Sequence, residues 1–103
     1  MNEEDNNWHF ETESVHSGLS YNEETGAVIP PIFATSTFES DNQHGFDYTR
    51  SGNPNFRNLE EVLKKNENAK YATVFASGVS AITSILSTLN SNSLVLAEEN
   101  IYG

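Results

Sequence analysis

Tyr48 and Arg50 are the two side chains of this sequence best suited to holding an anion. Arg50 is the first lysine or arginine of the chain, and it stands two positions after Tyr48 and just before Gly52-Asn53-Pro54. A guanidinium group presents a planar fork of N–H donors that matches phosphate oxygens, so an arginine and a phenol on irregular backbone can form a phosphate clamp. The alternative is an exposed loop arginine that pairs with one of the many carboxylates nearby.

A second candidate for anion binding lies at residues 75–79, where a predicted strand turns directly into a predicted helix. The first N–H groups of a helix have no intrahelical acceptor, and the helix dipole favours negative charge there. Gly78 has no Cβ atom to obstruct a phosphate, so the backbone N–H groups of Gly78 and Val79 are the expected donors. The alternative is an ordinary connection with Ser77 as the N-cap. The absence of Gly-x-Gly-x-x-Gly disfavours a dinucleotide site.

Tyr102 follows the second predicted strand, within residues 98–103. Ligands of open α/β sheets bind at the carboxyl ends of the strands, so Tyr102 and the Gly78 turn are expected at the same edge. The ring of Tyr102 can stack on a flat ligand, and its hydroxyl can take part in proton transfer. The alternative is a half-buried tyrosine at the start of a loop.

Other patterns that carry chemistry are missing from the sequence. His9, His16 and His44 are widely spaced and have no partner at metal-ligand spacing, so no metal site is predicted. The chain contains no cysteine, which excludes disulfides and thiolate chemistry. Serine is frequent, but no Gly-x-Ser-x-Gly elbow supports a hydrolase.

Length and charge limit the classes of function. The 103 residues suffice for one small domain with a modest core, and the formal net charge is −10. Such a charge repels nucleic-acid phosphates and anionic lipids, so neither is an expected partner. No apolar run reaches membrane-spanning length, and the acidic residues 1–5 differ from a signal or transit peptide, which favours the cytoplasm.

The elements that must position these residues fall into two parts. Residues 1–53 show no sustained hydrophobic period and contain Pro30-Pro31, which predicts an extended arm that packs on another surface. Residues 54–103 are regular. Asn53 as N-cap and Pro54 at the first position predict the start of a helix.

The remainder of the second part reads as strand, helix, strand. Residues 71–76 and 94–97 are short apolar runs, and between them apolar residues recur at helical spacing. This order predicts a βαβ unit with a right-handed crossover, and therefore an α/β fold with a mainly parallel sheet.

Several motifs, in order, resemble the opening third of the cystathionine γ-synthase/γ-lyase family, the pyridoxal 5'-phosphate (PLP) enzymes of methionine and cysteine metabolism. They occupy residues 15–18, 25–32, 45–54, 69–72, 75–78 and 101–103. The resemblance implies a fold type I enzyme, similar to aspartate aminotransferase, with PLP as cofactor and an amino acid as substrate. It also implies a homotetramer built as a dimer of dimers, in which the arm packs on a partner subunit.

The resemblance further implies roles for the candidate residues. Tyr48 and Arg50 match residues that reach across the dimer interface to the cofactor phosphate of the neighbouring active site. Gly78 and Val79 match positions whose backbone N–H groups bind the phosphate of their own subunit's cofactor. Tyr102 matches a tyrosine that stacks on the pyridine ring and takes part in proton transfer.

The sequence also departs from the family. Val79 stands where many relatives have Met or Leu, and Asn55 stands where Thr is common. The Schiff-base lysine and the acid that keeps the pyridine nitrogen protonated lie further downstream in the family than residue 103 here. Because Lys64, Lys65 and Lys70 lie away from the expected pocket, the chain is predicted to be an inactive N-terminal fragment.

The leading hypothesis is therefore the N-terminal portion of a PLP-dependent transsulfuration enzyme, which eliminates or replaces the γ-substituent of a homoserine-derived amino acid or cleaves cystathionine. A second hypothesis is a non-catalytic remnant or interaction module that binds a full-length relative at its dimer interface. A third, a small phosphate-binding α/β domain of unrelated function, leaves residues 48–54 without a role. The motifs do not distinguish γ-synthase, γ-lyase, β-lyase, methionine γ-lyase and sulfhydrylase.

Overall fold

A computed structural model of the chain describes residues 8–19 and 22–101. These ranges contain three helices: α1, Phe10–His16; α2, Pro54–Asn66; and α3, Gly78–Ser87. Helices α1 and α2 contact each other, whereas α3 contacts neither of them. None of the helices in the described ranges is long and apolar enough to span a membrane.

Helix α2 begins where the sequence predicts. The backbone of Asn53 is extended, its side-chain oxygen accepts the N–H of Asn55 at 2.9 Å, and Pro54 takes the first helical position. At the other end, Lys64 and Lys65 lie in the last turn, where positive charge stabilises the helix dipole.

Helix α1 lies in the arm that the sequence predicts to be extended, so that prediction is wrong for these residues. Glu11 and Glu13 in the first turn suit the helix dipole. A helix of seven residues is marginal by itself, and α1 gains support from α2, where the Asn66 side chain donates to the Ser14 carbonyl at 3.4 Å. Gly18 follows α1, with the backbone of Glu61 close beside it.

The two predicted strands are not paired. Within the described ranges the backbone forms no β-strand, only isolated antiparallel bridges between Asn22 and Ala27 and between Thr37 and Tyr48. A parallel strand requires a neighbour to bond with along its length, and neither residues 71–76 nor residues 94–97 bond with such a neighbour here. Helix α3 between them is confirmed, while the parallel sheet stays a prediction.

No hydrophobic side chain is buried in the described part of the chain, and Asn53, at 2% exposure, is the one buried residue there. The accessible surface is 9312 Å², against about 5,800 Å² for a compact monomer of this length. The radius of gyration is 17.5 Å, compared with about 13 Å for a compact domain. The apolar faces of α2 and α3 are therefore formed but not covered.

Candidate functional site

An open cavity of about 690 Å³ is lined by residues from both parts of the sequence. The lining residues are Ser36, Tyr48, Thr49, Arg50, Phe56, Leu59, Val74, Phe75 and Ala76. The structure thus places the predicted clamp residues beside the segment that leads into α3. Gly78 and Val79 follow this segment directly but do not line the cavity themselves.

Arg50 lies over the ring of Tyr48 and does not pair with any acidic residue that the structure describes. Its Cζ atom lies 4.8 Å from the centroid of the Tyr48 ring. The ion pair found within the described ranges joins Lys64 to Glu61, so no described carboxylate neutralises Arg50. Both clamp side chains are exposed. The alternative of a loop arginine paired with a nearby carboxylate is therefore not realised among these residues, and the guanidinium donors are available to an anion.

The clamp turn, residues 47–52, carries Tyr48 and Arg50 and is stabilised by its own hydrogen bonds. The N–H groups of Ser51 and Gly52 both donate to the Tyr48 carbonyl at 3.0 Å. One carboxylate oxygen of Asp47 accepts the Tyr48 N–H and the Ser51 hydroxyl, each at 2.6 Å. These bonds, that of the Ser51 hydroxyl foremost, lower the pKa of Asp47 because they favour the ionised carboxylate.

An earlier segment of the arm, residues 35–38, runs antiparallel to the start of this turn and holds it from one side. The Thr49 N–H donates to the Ser36 carbonyl, and the Phe38 N–H donates to the Asp47 carbonyl, both at 2.9 Å. The Thr49 hydroxyl also donates to the Thr35 carbonyl. Backbone atoms on both sides of Tyr48 are therefore bound to the arm.

The start of α3 satisfies both interpretations of the Ser-Gly turn. Ser77 is the N-cap, and its hydroxyl oxygen accepts the Ser80 N–H at 3.2 Å. The N–H groups of Gly78 and Val79 have no acceptor among the described residues. Apart from its chain neighbours and the backbone of its own helix, no described atom lies within 4 Å of where a Cβ of Gly78 would stand. The cap thus satisfies the third N–H and leaves the first two free in open space.

Each of these two donor groups could bind a phosphate group by itself. The Arg50 guanidinium, which has no acidic partner among the described residues, favours an oxyanion by charge, and the two free N–H groups at the start of α3 favour one by hydrogen bonding and by the helix dipole. No lysine lines the cavity: Lys64 pairs with Glu61, and Lys70 lies 5.3 Å from the centroid of the Tyr71 ring. Tyr102, the predicted ring-stacking residue, lies outside the described residues.

The histidines do not assemble into a site. His16 packs its ring edge against Trp8, with 6.0 Å between the ring centroids. No cluster of three or more potential metal ligands is found in the part of the chain that the structure describes.

Asp47 and Ser51 stabilise the turn that carries the clamp, and Asn55 binds Phe33, although the sequence pattern predicted no such role for them. An Asp immediately before a turn is a known signal for side-chain bonding to the backbone, and this signal was available at Asp47. No comparable local signal exists for Asn55, because its partner, Phe33, lies 22 residues away.

The chain is similar in sequence to a family of enzymes and to several of its members. A model of the family described as "Cys/Met metabolism PLP-dependent enzyme" matches residues 11–103. A cystathionine gamma-lyase of Dictyostelium discoideum is 40% identical over 102 residues, which cover 95% of this chain and 26% of the relative. The cystathionine beta-lyase MetC of Staphylococcus haemolyticus is 41% identical over 99 residues, covering 90% of this chain and 24% of the relative.

The solved structures include close matches as well. CalE6, a methionine gamma lyase from Micromonospora echinospora, superposes with a TM-score of 0.73 and 40% sequence identity, covering 81% of this chain and 23% of that protein. The chain spans about a quarter of the length of the Dictyostelium and Staphylococcus lyases.

Proposed function

Because the chain belongs to the Cys/Met metabolism family of PLP-dependent enzymes, we propose that it is the N-terminal portion of a transsulfuration enzyme. The family resemblance and the PLP cofactor predicted from the motifs are confirmed, and the structural neighbours confirm the fold family. The proposed reaction is elimination or replacement of the γ-substituent of a homoserine-derived amino acid, or cleavage of cystathionine.

The observation that carries the proposal is Arg50, which stacks on Tyr48 without a described acidic partner in the cavity next to the α3 start. We assign Tyr48 and Arg50 to the cofactor phosphate of a neighbouring subunit. The N–H groups of Gly78 and Val79 are assigned to the phosphate of the chain's own cofactor, and Tyr102 to ring stacking and proton transfer.

PLP, when bound, supplies an electron sink for the reacting amino acid. In this proposal the described part of the chain binds and orients the cofactor, because Arg50 and the N–H groups at the start of α3 hold phosphate groups. Neither a lysine nor an acidic residue is among the described residues that line the cavity, so the covalent attachment of the cofactor and the protonation of its pyridine nitrogen are left to other polypeptide. We therefore propose that the 103 residues alone are inactive.

The organisation of the whole protein follows the same proposal. Residues 1–53 form an arm for contacts between subunits, and residues 54–103 begin the PLP-binding domain, whose parallel sheet is completed by further polypeptide. The assembly is a homotetramer of two dimers in the cytoplasm, acting on a small amino-acid substrate, with neither nucleic acid nor membrane as partner.

The test compares two arginines in the apo form of the whole natural protein. Arg50→Ala should weaken PLP binding about tenfold to hundredfold, because it removes charge-assisted hydrogen bonds to the phosphate. Arg57→Ala is the matched control, since Arg57 also lies over an aromatic ring, 4.3 Å from the centroid of Phe46, but lines a different cavity. Equal PLP affinities of the Arg50→Ala variant and the wild type would refute the clamp.

A second function is favoured by the uncovered apolar faces. Ile82 and Ile85 of α3 are 52% and 66% exposed, and Leu59 of α2 is 50% exposed, as expected of a chain that completes its core on another polypeptide. A non-catalytic remnant or interaction module would bind a full-length relative at its dimer interface. Size-exclusion chromatography of the 103-residue chain mixed with such a relative tests this: a heterocomplex supports the module, and separate elution eliminates it.

A further inference from the structure

The side chain of Asn55 forms two hydrogen bonds with one residue of the arm. Its Oδ1 atom accepts the Phe33 N–H at 3.0 Å, and its Nδ2 atom donates to the Phe33 carbonyl at 3.0 Å. Both bonds are partly shielded from solvent. A primary amide carries the same donor and acceptor as a peptide group, so Asn55 binds Phe33 as a neighbouring strand residue would.

These two bonds continue the antiparallel pairing between the arm and the clamp turn. The pairing uses backbone atoms at Thr49, whose N–H donates to the Ser36 carbonyl. It does not continue through backbone atoms, because the Ser51 and Gly52 N–H groups bond to the Tyr48 carbonyl within the turn and Pro54, at the start of α2, has no N–H. The Asn55 amide lies just beyond this interruption and binds the next part of the arm.

Capping of α2 does not account for the side chain of Asn55. The Asn53 side chain already accepts the Asn55 N–H at 2.9 Å and is the cap. The Asn53 amide nitrogen donates to the Thr49 hydroxyl at 2.9 Å and lies 3.5 Å from the Phe33 carbonyl. The stronger contacts with Phe33 are therefore those of Asn55.

We propose that Asn55 is a positioning residue. Its side-chain amide pairs with Phe33 as a backbone peptide group would, and thereby holds residues 33–38 of the arm against the clamp turn that carries Tyr48 and Arg50. Its effect on the cofactor rests on the proposed phosphate clamp. Its effect on the arm does not, so the two can be measured separately.

The first measurement is amide hydrogen exchange in the whole natural protein without cofactor. Asn55→Ala should speed exchange of the Phe33 N–H about tenfold, because its acceptor is lost. The Phe38 N–H, which bonds to Asp47 further along the pairing, should also exchange faster. Asn58→Ala is the matched control, because the Asn58 side chain has no hydrogen bond with the described residues, and it should leave both rates within about twofold of wild type.

A second variant separates pairing from helix stability. Asn55→Asp keeps an acceptor for Phe33 and places a favourable negative charge in the first turn of α2, but it removes the donor and sets a carboxylate beside the Phe33 carbonyl. If Asn55 pairs with Phe33, the Phe38 N–H should exchange faster in Asn55→Asp than in the wild type, although α2 itself is not weakened. Wild-type exchange of Phe38 in this variant, or of Phe33 in Asn55→Ala, would overturn the proposal.

The affinities of the whole protein for two ligands, PLP and pyridoxal, test the positioning role. Asn55→Ala should weaken PLP several-fold and leave pyridoxal, which has no phosphate, unchanged; general destabilisation would weaken both. Arg50→Ala in the same assay distinguishes a wrong clamp from a wrong positioning role. If it leaves the PLP affinity unchanged, the proposed clamp is wrong, and the exchange results alone decide whether Asn55 pairs with Phe33. If Arg50→Ala weakens PLP while Asn55→Ala does not, the positioning role is wrong.

Discussion

The guanidinium group of Arg50 lies over the ring of Tyr48, with 4.8 Å between Cζ and the ring centroid. The two residues stand two positions apart in the clamp turn, and the stacking holds their side chains on one side of it. Thr49 between them bonds to the arm through both its N–H and its hydroxyl. The contact restrains the guanidinium group, and no described residue accepts from its N–H donors, so they are available to a phosphate.

We expect the ring and the hydroxyl of Tyr48 to contribute separately. Tyr48→Phe retains the ring beneath Arg50, so PLP affinity should fall only about threefold to tenfold, as for one lost hydrogen bond. Tyr48→Leu also removes the stacking, and its PLP affinity should approach that of Arg50→Ala. Affinities measured for the apo whole protein check this order, and a Leu variant that binds as tightly as the Phe variant would contradict it.

The clamp turn should weaken in acid because of Asp47. Hydrogen bonds from the Ser51 hydroxyl and the Tyr48 N–H lower the pKa of this carboxyl below its usual 3.8. A carboxyl whose pKa is lower in the folded than in the unfolded state stabilises the fold above the unfolded pKa, and this contribution is lost as the pH falls through the folded pKa. The turn is therefore unaffected at neutral pH and loses support below about pH 4.

A ¹³C NMR titration of the Asp47 carboxyl tests this expectation. Ser51→Ala removes the main cause of the shift and should raise the pKa of Asp47 toward its usual value. An Asp47 carboxyl that titrates with the same pKa in the Ser51→Ala variant would show that the hydroxyl does not hold it.

The two helix caps should differ in strength. Asn53 is buried and also donates to the Thr49 hydroxyl, whereas Ser77 is an exposed cap. Asn53→Ala should therefore cost about 2–3 kcal/mol in the local opening free energy, for the cap and for the polar group left unpaired. Ser77→Ala should cost about 1 kcal/mol. Hydrogen exchange in the first turns of α2 and α3 gives both values, and equal costs would argue against the additional role of Asn53.

Two glycines provide a matched pair for the packing of α1 on α2. Gly18 and Gly26 have similar positive φ angles, 77° and 70°, so alanine brings about the same backbone strain, about 1 kcal/mol, at either position. A Cβ at Gly18 would also lie 2.7 Å from the backbone of Glu61, while one at Gly26 would meet nothing within 4 Å.

Gly18→Ala should therefore disrupt the contact of α1 with α2, and Gly26→Ala should not. The amides of α1 report the difference, because this short helix depends on the contact. We expect their exchange protection to be lost in the first variant and retained in the second. Protection of α1 in the Gly18→Ala variant would show that the close approach can relax without cost.

The parts of the fold that the sequence predicted correctly depend on neighbours a few residues apart. The Asn53-Pro54 start of α2 and the Ser77 start of α3 use hydrogen bonds across two or three residues, which a local pattern can reveal. Helix α1 was missed because its support comes from Asn66, 52 residues away. The two strands were predicted from apolar runs, but the residues of an apolar run do not specify which other strand it pairs with.

The sequence alone determined the membership in the family, the PLP cofactor and the candidate clamp, because the types and order of its residues carry that chemistry. Only the tertiary structure decided that Arg50 contacts the ring of Tyr48 and not a described acidic residue. It also decided that Asn55 binds Phe33, 22 residues away in the sequence. The reason is physical: which acceptors and rings surround a side chain depends on the path of the chain, and neither residue type nor spacing specifies that path.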